Sequence, residues 1–148
     1  MLYGIGCDLC SIPRLEKSLN GPHAAHFAAR VFGARERAAL GLAQAEGGAE
    51  ATVRCSAHTA ASAAADFAAK EAFLKAAGRG LGGFALTEIE ALRLPSGAPV
   101  YALSGRAQAW LAENGLCAQL SLSHEAGLAL AFCTLEKIAP PAVPPRIE

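Results

Sequence analysis

The sequence lacks several features that would assign it to a special class of protein. No apolar run among the 148 residues approaches the roughly 20 residues that a membrane-spanning helix needs. Neither charge is in excess, because 13 Lys and Arg balance 13 Asp and Glu. The opening segment, MLYGIGCDLC, has no basic stretch typical of a signal peptide and reaches Asp8 early. We therefore expect a cytoplasmic protein that binds neither membranes nor, through bulk positive charge, nucleic acid.

The sequence does contain enough apolar material for one compact domain. Hydrophobic residues make up 53% of the chain and charged residues 18%, so a core can be buried. The five cysteines are scattered and odd in number, which favours reduced thiols over a disulfide framework. Cys7 and Cys10 form a CxxC pair, which indicates either a redox or zinc function or two small apolar core residues.

The pattern of apolar residues predicts an α+β fold with an antiparallel sheet. Residues 2–9 alternate as a strand, in which Gly4 and Gly6 leave one face bare for another backbone or a ligand. Asp8 lies on that bare face. Turn and cap signals predict helices over 11–20, 23–31, 35–45, 61–77 and 104–113, and strands over 86–94, 100–103, 116–123 and 126–136.

The chain is predicted to form a single domain over residues 1–138. Residues 46–65 are rich in Ala, Ser, Thr and Gly, and we expect most of this segment to be a mobile surface loop. The final segment, APPAVPPRIE over 139–148, is proline-rich and is expected to be an extended tail.

Asp8 and Glu71 are the first candidates for chemistry. Asp8 lies near the end of a strand, and Glu71 lies in an otherwise apolar helix, where a carboxylate is costly unless it is paired or binds a cation. Two carboxylates, together with phosphate oxygens and water, suit octahedral Mg²⁺. The alternative is that Asp8 caps the next helix and Glu71 pairs with Lys70 or Lys75.

Lys75 follows Glu71 by one helical turn and precedes a glycine-rich loop over 78–83. An ammonium beside a carboxylate at such a loop could hold a metal and a phosphate together. Because the loop follows a helix, it is not a Walker loop or a dinucleotide-binding loop. The alternatives are an ordinary ion pair with Glu71 and a helix C-cap formed by the loop.

Two further positions indicate ligand or partner contacts. Ser123 and His124 are adjacent, so in a strand they point to opposite faces and do not form a nucleophile–base pair. His124 could contact a phosphate or sugar, or it could be structural. Arg14 and Lys17 on the first helix could form a local basic face for an acidic partner, or a simple solvated surface.

Taken together, these segments resemble the holo-acyl-carrier-protein synthase family of phosphopantetheinyl transferases. GIGCDLCSIPR resembles its G-x-D-x-x-x-I-x-R motif, and FAAKEAFLKA resembles F-x-x-K-E-A-x-x-K-A. GRGLGG resembles the glycine loop that follows. GAPVYALSG and LSLSHEAGLALAF resemble the closing motifs. The matches appear in family order from residue 3 to about 136, and five ordered motifs are far more specific than one.

The resemblance implies transfer of the 4′-phosphopantetheine arm of coenzyme A to a serine of apo-acyl carrier protein in fatty acid biosynthesis. It implies that Asp8 and Glu71 hold Mg²⁺ on the pyrophosphate. Lys75 would contact the pyrophosphate or help deprotonate the serine. It also implies a homotrimer with active sites between subunits, in which Arg14 meets the carrier. The coenzyme A site would be lined by Lys75, Gly78, Gly80, Pro99 and His124.

The sequence departs from the family pattern at Asp66, where a basic residue usually precedes F-x-x-K-E. We expect that a contact with a coenzyme A phosphate or an ion pair is lost there, or is supplied by Arg54 or Arg79. The 46–65 segment is longer than usual, and Ala98 stands where Lys is frequent. The alternative function is therefore a non-catalytic module that binds coenzyme A or a carrier protein.

Overall fold

In the part of the chain that the structure describes, the strands form two antiparallel sheets instead of one. A computed structural model describes residues 1–42, 55–80 and 82–138. The larger sheet has the order β1-β5-β4, and β2 and β3 form a separate hairpin. The α+β class is confirmed. The strands are β1 (Leu2–Ser11), β2 (Ile89–Arg93), β3 (Pro99–Leu103), β4 (Leu116–Glu125) and β5 (Leu128–Lys137).

In the described residues five helices cover the sheets, and two of them are capped by the side chain of a serine. Ser11 accepts a hydrogen bond from the Arg14 N–H, and Ser56 accepts one from the Thr59 N–H. The longest helix therefore starts earlier than the sequence pattern predicted. The helices are α1 (Ile12–Leu19), α2 (Ala24–Val31), α3 (Ala34–Ala39), α4 (Ala57–Ala76) and α5 (Gly105–Glu113).

Several predicted boundaries are wrong. Residues 57–65 belong to α4, so the mobile loop expected over 46–65 does not include them. The third helix ends at Ala39 instead of residue 45, and Gly41 has a φ of 67° just beyond it. The Ser-His-Glu segment, expected between the last two strands, lies within β4, and the turn is formed by 126–127.

The strand predicted over 86–94 begins instead with a short 3-10 helix, Leu86–Glu88. The Glu88 carboxylate accepts a hydrogen bond from the Ala85 N–H at 3.3 Å, which stabilises this turn. Residues 46–54 of the expected loop and the 139–148 tail lie outside the described residues. The division into one domain over 1–138 and a tail therefore stays a prediction.

Helix α4 lies directly against β1 because β1 has no side chain at two positions. A Cβ atom at Gly4 would overlap the carbonyl oxygen of Ala76, and one at Gly6 would overlap that of Ala72. The prediction that another backbone approaches the bare face is thus confirmed. This close contact brings the last two turns of α4 beside Asp8.

We expect the Gly6→Ala substitution to destabilise the protein by about 1–3 kcal/mol or more, because α4 must move to admit the methyl group. The free energy of unfolding from urea denaturation measures this loss. Gly80→Ala is the matched control, since a Cβ there meets no described atom within 4 Å. Equal stability of the two variants would contradict the close contact.

Cys7 and Cys10 lie on opposite faces of β1, because they are three residues apart in one strand. Cys7 is exposed and Cys10 is buried, and both are free thiols. This arrangement disfavours a redox or zinc pair.

Among the helices of the described residues, none is long and apolar enough to cross a membrane.

Candidate active site

Asp8 and Lys75 join strand β1 to helix α4. The Lys75 ammonium donates hydrogen bonds to Asp8 Oδ1 at 2.8 Å and to the Cys7 carbonyl oxygen at 2.9 Å. The Asp8 side chain is 18% exposed and that of Lys75 is 53% exposed, so the pair lies at the surface. Asp8 does not cap the following helix, because Ser11 does so.

Glu71 lies one helical turn before Lys75 and is half-buried. Its Oε1 atom is buried and has no hydrogen-bond partner within the part of the chain that the structure describes. The alternative that Glu71 pairs with a neighbouring lysine is wrong, because Lys70 pairs with Glu36 and Lys75 pairs with Asp8. Burial and the nearby Asp8 carboxylate raise the Glu71 pKa, and Lys75 opposes that rise.

Asp8 and Glu71 are two described side chains that could hold a divalent cation at this site. Asp8 already repels Glu71, and Glu71 Oε1 accepts no hydrogen bond from the described residues. No group of three His, Cys, Asp or Glu side chains suited to a metal occurs in residues 1–42, 55–80 and 82–138. Mg²⁺ often takes only one or two carboxylates and completes its shell with water and phosphate oxygens.

The glycine loop follows α4 at the end that packs against Gly4. Gly78 has a φ of 66°, which gives the left-handed conformation of a helix C-cap. The helix C-cap alternative is thus correct for Gly78. A capping role does not exclude a contact between the loop and a ligand. Gly80 is exposed, with open space where a side chain would lie.

His124 lies on the same face of the large sheet as Asp8. Strand pairing places Cys10, Ala129 and His124 in one row, and Asp8 lies in the neighbouring row. His124 is exposed at this end of the sheet. Cys10, which lies in the row of His124, is about 20 Å from Gly4 along β1. The glycine loop begins near Gly4. His124 and the glycine loop are therefore separated within one chain.

Pro99 begins β3 and is paired with Arg93 in the small hairpin. Arg14 and Lys17 are exposed on α1, as the predicted basic face requires. Helix α1 starts beside the β4–β5 turn, since the Ile12 N–H donates to the Gly127 carbonyl oxygen at 2.9 Å. The basic face thus lies near the end of the sheet that carries His124.

Asp66 has a structural partner that sequence reasoning missed. Its side chain is 4% exposed and accepts a hydrogen bond from Arg93 at 2.7 Å. Asp66 thus forms an ion pair of its own, whereas the expected loss of a contact that a basic residue would make at this position stays a prediction. Arg79 stacks over the Phe84 ring at 4.9 Å, and Arg54 lies outside the described residues. An acidic residue in an alanine-rich helix indicates that a basic side chain pairs with it in the folded protein. The sequence did not identify which basic residue is the partner of Asp66.

Comparison with known proteins identifies the family to which this chain belongs. The sequence model of the 4′-phosphopantetheinyl transferase superfamily matches residues 4–133. The chain belongs to that superfamily.

Within the superfamily, the chain groups with the holo-[acyl-carrier-protein] synthases, which are enzymes. It is 38% identical to the holo-[acyl-carrier-protein] synthase of Herminiimonas arsenicoxydans over 93% of this chain and 99% of that protein. The crystal structure of the Neisseria meningitidis enzyme matches with a TM-score of 0.72 and 33% identity, over 93% and 100% of the two chains. The Bacillus anthracis enzyme, solved in complex with coenzyme A (3′,5′-ADP), matches with a TM-score of 0.69 and 27% identity, over 93% and 99%.

Proposed function

We propose that this protein transfers 4′-phosphopantetheine from coenzyme A to a serine of apo-acyl carrier protein, in a Mg²⁺-dependent reaction of cytoplasmic fatty acid biosynthesis. The serine oxygen forms a bond to the β-phosphorus and its proton is released to water, while the pyrophosphate bond breaks and adenosine 3′,5′-bisphosphate leaves with the bonding electron pair. The observation that carries the proposal is the unpartnered, buried oxygen of Glu71 beside Asp8. The family and the coenzyme A complex of a relative support the choice of substrates.

Asp8 and Glu71 are the residues that would hold the Mg²⁺ ion. When bound there, the ion would offset the negative charge of the pyrophosphate and of the leaving group. The two carboxylates come from different elements, β1 and α4, so the close packing at Gly6 sets their spacing. The nucleophile belongs to the carrier protein, which agrees with the absence of a Ser–His pair at Ser123 and His124.

Lys75 is proposed to act as a cation toward phosphate and not as the base. Its hydrogen bond to Asp8 raises the Lys75 pKa, so the ammonium stays protonated at neutral pH. Its side chain is 53% exposed and flexible, so it can turn from Asp8 toward a phosphate oxygen.

The two proposed roles of Lys75 make opposite predictions for Lys75→Arg. If Lys75 supplies charge, we expect Lys75→Arg to keep much of the transfer rate and Lys75→Gln to lose about 100-fold. An arginine cannot lose its proton in a protein, so it cannot replace a base. Initial rates of carrier modification measure both variants, with Lys137→Arg as the control at an exposed site that has no proposed role. Equal loss in Lys75→Arg and Lys75→Gln would contradict the cation role.

The remaining coenzyme A residues are proposed to come from two chains of a homotrimer. Gly78 and Gly80 lie at one end of α4, whereas His124 lies at the other end of the sheet, with Pro99 in the separate hairpin. A single chain therefore does not gather them at one place, but neighbouring copies can.

The outer face of the large sheet supports this assembly. Large apolar side chains on β1 and β5 are 41–57% exposed there, and such a contiguous patch favours an interface. Sedimentation equilibrium would give the mass of three chains, and a monomeric mass would contradict the trimer. The exposed side chains are Ile5, Leu9, Leu128 and Phe132.

Arg14 is proposed to contact the carrier protein. It is exposed on α1 near the end of the sheet that carries His124, and a guanidinium there can pair with carboxylates of an acidic helix. The proposal places the carrier protein near His124 of the coenzyme A site.

Intact-mass spectrometry of apo-acyl carrier protein tests the function. Incubation with this protein, coenzyme A and Mg²⁺ should add one phosphopantetheine arm to the carrier, and EDTA should prevent the gain. Coenzyme A binding without any mass gain, across several carriers, would favour the non-catalytic module. That alternative was motivated by Asp66, and the Asp66–Arg93 pair now gives Asp66 a structural explanation.

A further inference from the structure

A buried ion pair ties helix α4 to the elements on the side away from β1. The Lys70 ammonium donates hydrogen bonds to Glu36 Oε2 at 2.6 Å, to the Leu86 carbonyl oxygen at 3.0 Å and to the Ile89 carbonyl oxygen at 2.6 Å. The side chains of Lys70 and Glu36 are both 0% exposed. All three ammonium protons are used, so the lysine is fully satisfied inside the protein.

Glu36 extends the same network into two other elements. Its carboxylate accepts hydrogen bonds from the Gly33 N–H at 2.8 Å and from the Ala91 N–H at 2.7 Å. The pair therefore connects α4 to α3, to the 3-10 helix and to β2. A buried pair with this many directional bonds fixes geometry more than it adds stability.

Helix α4 packs mainly through small side chains, and the large apolar side chains that it buries fully among the described residues are Phe73 and Leu74. Most of its buried positions are alanines, which give a smooth surface without large knobs. On the side of β1, Ala72 and Ala76 meet Gly6 and Gly4, which have no side chains. The alanines are Ala60, Ala63, Ala64, Ala65, Ala68, Ala69, Ala72 and Ala76.

We propose that Lys70 and Glu36 form a positioning pair that holds the Glu71 carboxylate toward Asp8. Adjacent helix residues point about 100° apart, so fixing Lys70 on one side of α4 fixes Glu71 on another. Without the Lys70–Glu36 ion pair, α4 could rotate about its axis, and the Glu71 carboxylate would then move away from Asp8. The inference rests on the proposed function, because it takes Asp8 and Glu71 as ligands of the cation.

Mn²⁺ binding, followed by electron paramagnetic resonance with coenzyme A present, tests the inference. Removing one partner alone would leave a buried charge unpaired, so the variant is the double substitution Lys70→Met with Glu36→Leu. We expect Mn²⁺ to bind at least about tenfold more weakly while the circular dichroism spectrum is unchanged. Asp66→Leu with Arg93→Leu, which removes the other buried ion pair of α4, is the matched control and should bind Mn²⁺ normally.

Glu71→Gln serves as the reference for loss of a ligand. Normal Mn²⁺ binding by the Lys70/Glu36 variant, with weak binding by Glu71→Gln, would overturn the positioning role and leave the proposed function intact. Normal binding by Glu71→Gln would overturn the proposed cation site and the positioning role with it. Equal weakening in the Asp66/Arg93 control would also overturn the inference, because any α4 ion pair would then have the same effect.

A second variant covers the case in which the apolar pair does not fold. Glu36→Gln with Lys70→Gln keeps polar groups of similar size, and its Mn²⁺ binding is measured in the same way. Weak binding by this folded variant supports the inference. If neither double variant folds while the Asp66/Arg93 control does, the pair supports the whole fold and the inference is overturned.

Discussion

Glu71→Gln should abolish transfer while leaving the protein folded. The substitution removes one of the two carboxylates proposed to bind Mg²⁺ and keeps the size of the side chain. Altering a group that only supports a metal ligand costs about 10- to 100-fold, so we expect a loss of at least about 100-fold here. Initial rates of carrier modification measure the loss. Glu113→Gln on the exposed face of α5 is the matched control and should keep full activity.

The stability of Glu71→Gln provides an independent check on the same site. Burial and the nearby Asp8 raise the Glu71 pKa in the folded protein above its unfolded value. The protonated form therefore stabilises the fold at low pH, and this contribution is lost as pH rises through the folded pKa. At pH 7, without metal, the variant should be at least as stable as the parent protein. A large loss of stability would show that the carboxylate of Glu71 has a structural partner.

Asp66→Arg should unfold or severely destabilise the protein, although it restores the charge that is usual in the family. Asp66 is buried and bonded to Arg93 at 2.7 Å, so the substitution would place two guanidinium groups together in a poorly solvated site. Breaking a buried pair costs about 3–5 kcal/mol, and the added repulsion increases the loss. Urea denaturation measures the change in the free energy of unfolding.

A charge exchange separates the Asp66 pair from other effects of a large side chain. Asp66→Arg combined with Arg93→Asp restores opposite charges and should recover part of the lost stability. Glu113→Arg at an exposed site is the control and should change stability little. A stable Asp66→Arg variant with increased transfer would instead show that Asp66 faces coenzyme A.

The sequence predicted the structure best where a local residue pattern is compatible with only one backbone conformation. Alternation with two glycines predicted β1 and the close approach of another backbone, which Gly6 and Ala72 confirm. Ser11 and the Asn-Gly that follows bounded α1 to within a residue. The alternation also placed Asp8 on the bare face, but the structure identifies the helix that packs there as the one that carries Glu71 and Lys75.

Partners that are distant in the sequence could not be predicted from local patterns. Lys70 was considered a partner for Glu71, but tertiary packing pairs it with Glu36, which is 34 residues away. Asp66 was interpreted through its departure from the family, whereas its partner Arg93 lies 27 residues further along. The start of α4 was missed because the alanine-rich segment has no apolar period, and only the Ser56 cap marks it.

The most direct test of the site is anomalous diffraction from crystals of this protein with Mn²⁺ and coenzyme A. Mn²⁺ takes the same oxygen ligands as Mg²⁺ and can be located by its anomalous signal. The proposed site predicts one Mn²⁺ ion bonded to carboxylate oxygens of both Asp8 and Glu71 and to the pyrophosphate. An ion bonded to phosphate oxygens alone, or to other side chains, would contradict the assignment of these two residues.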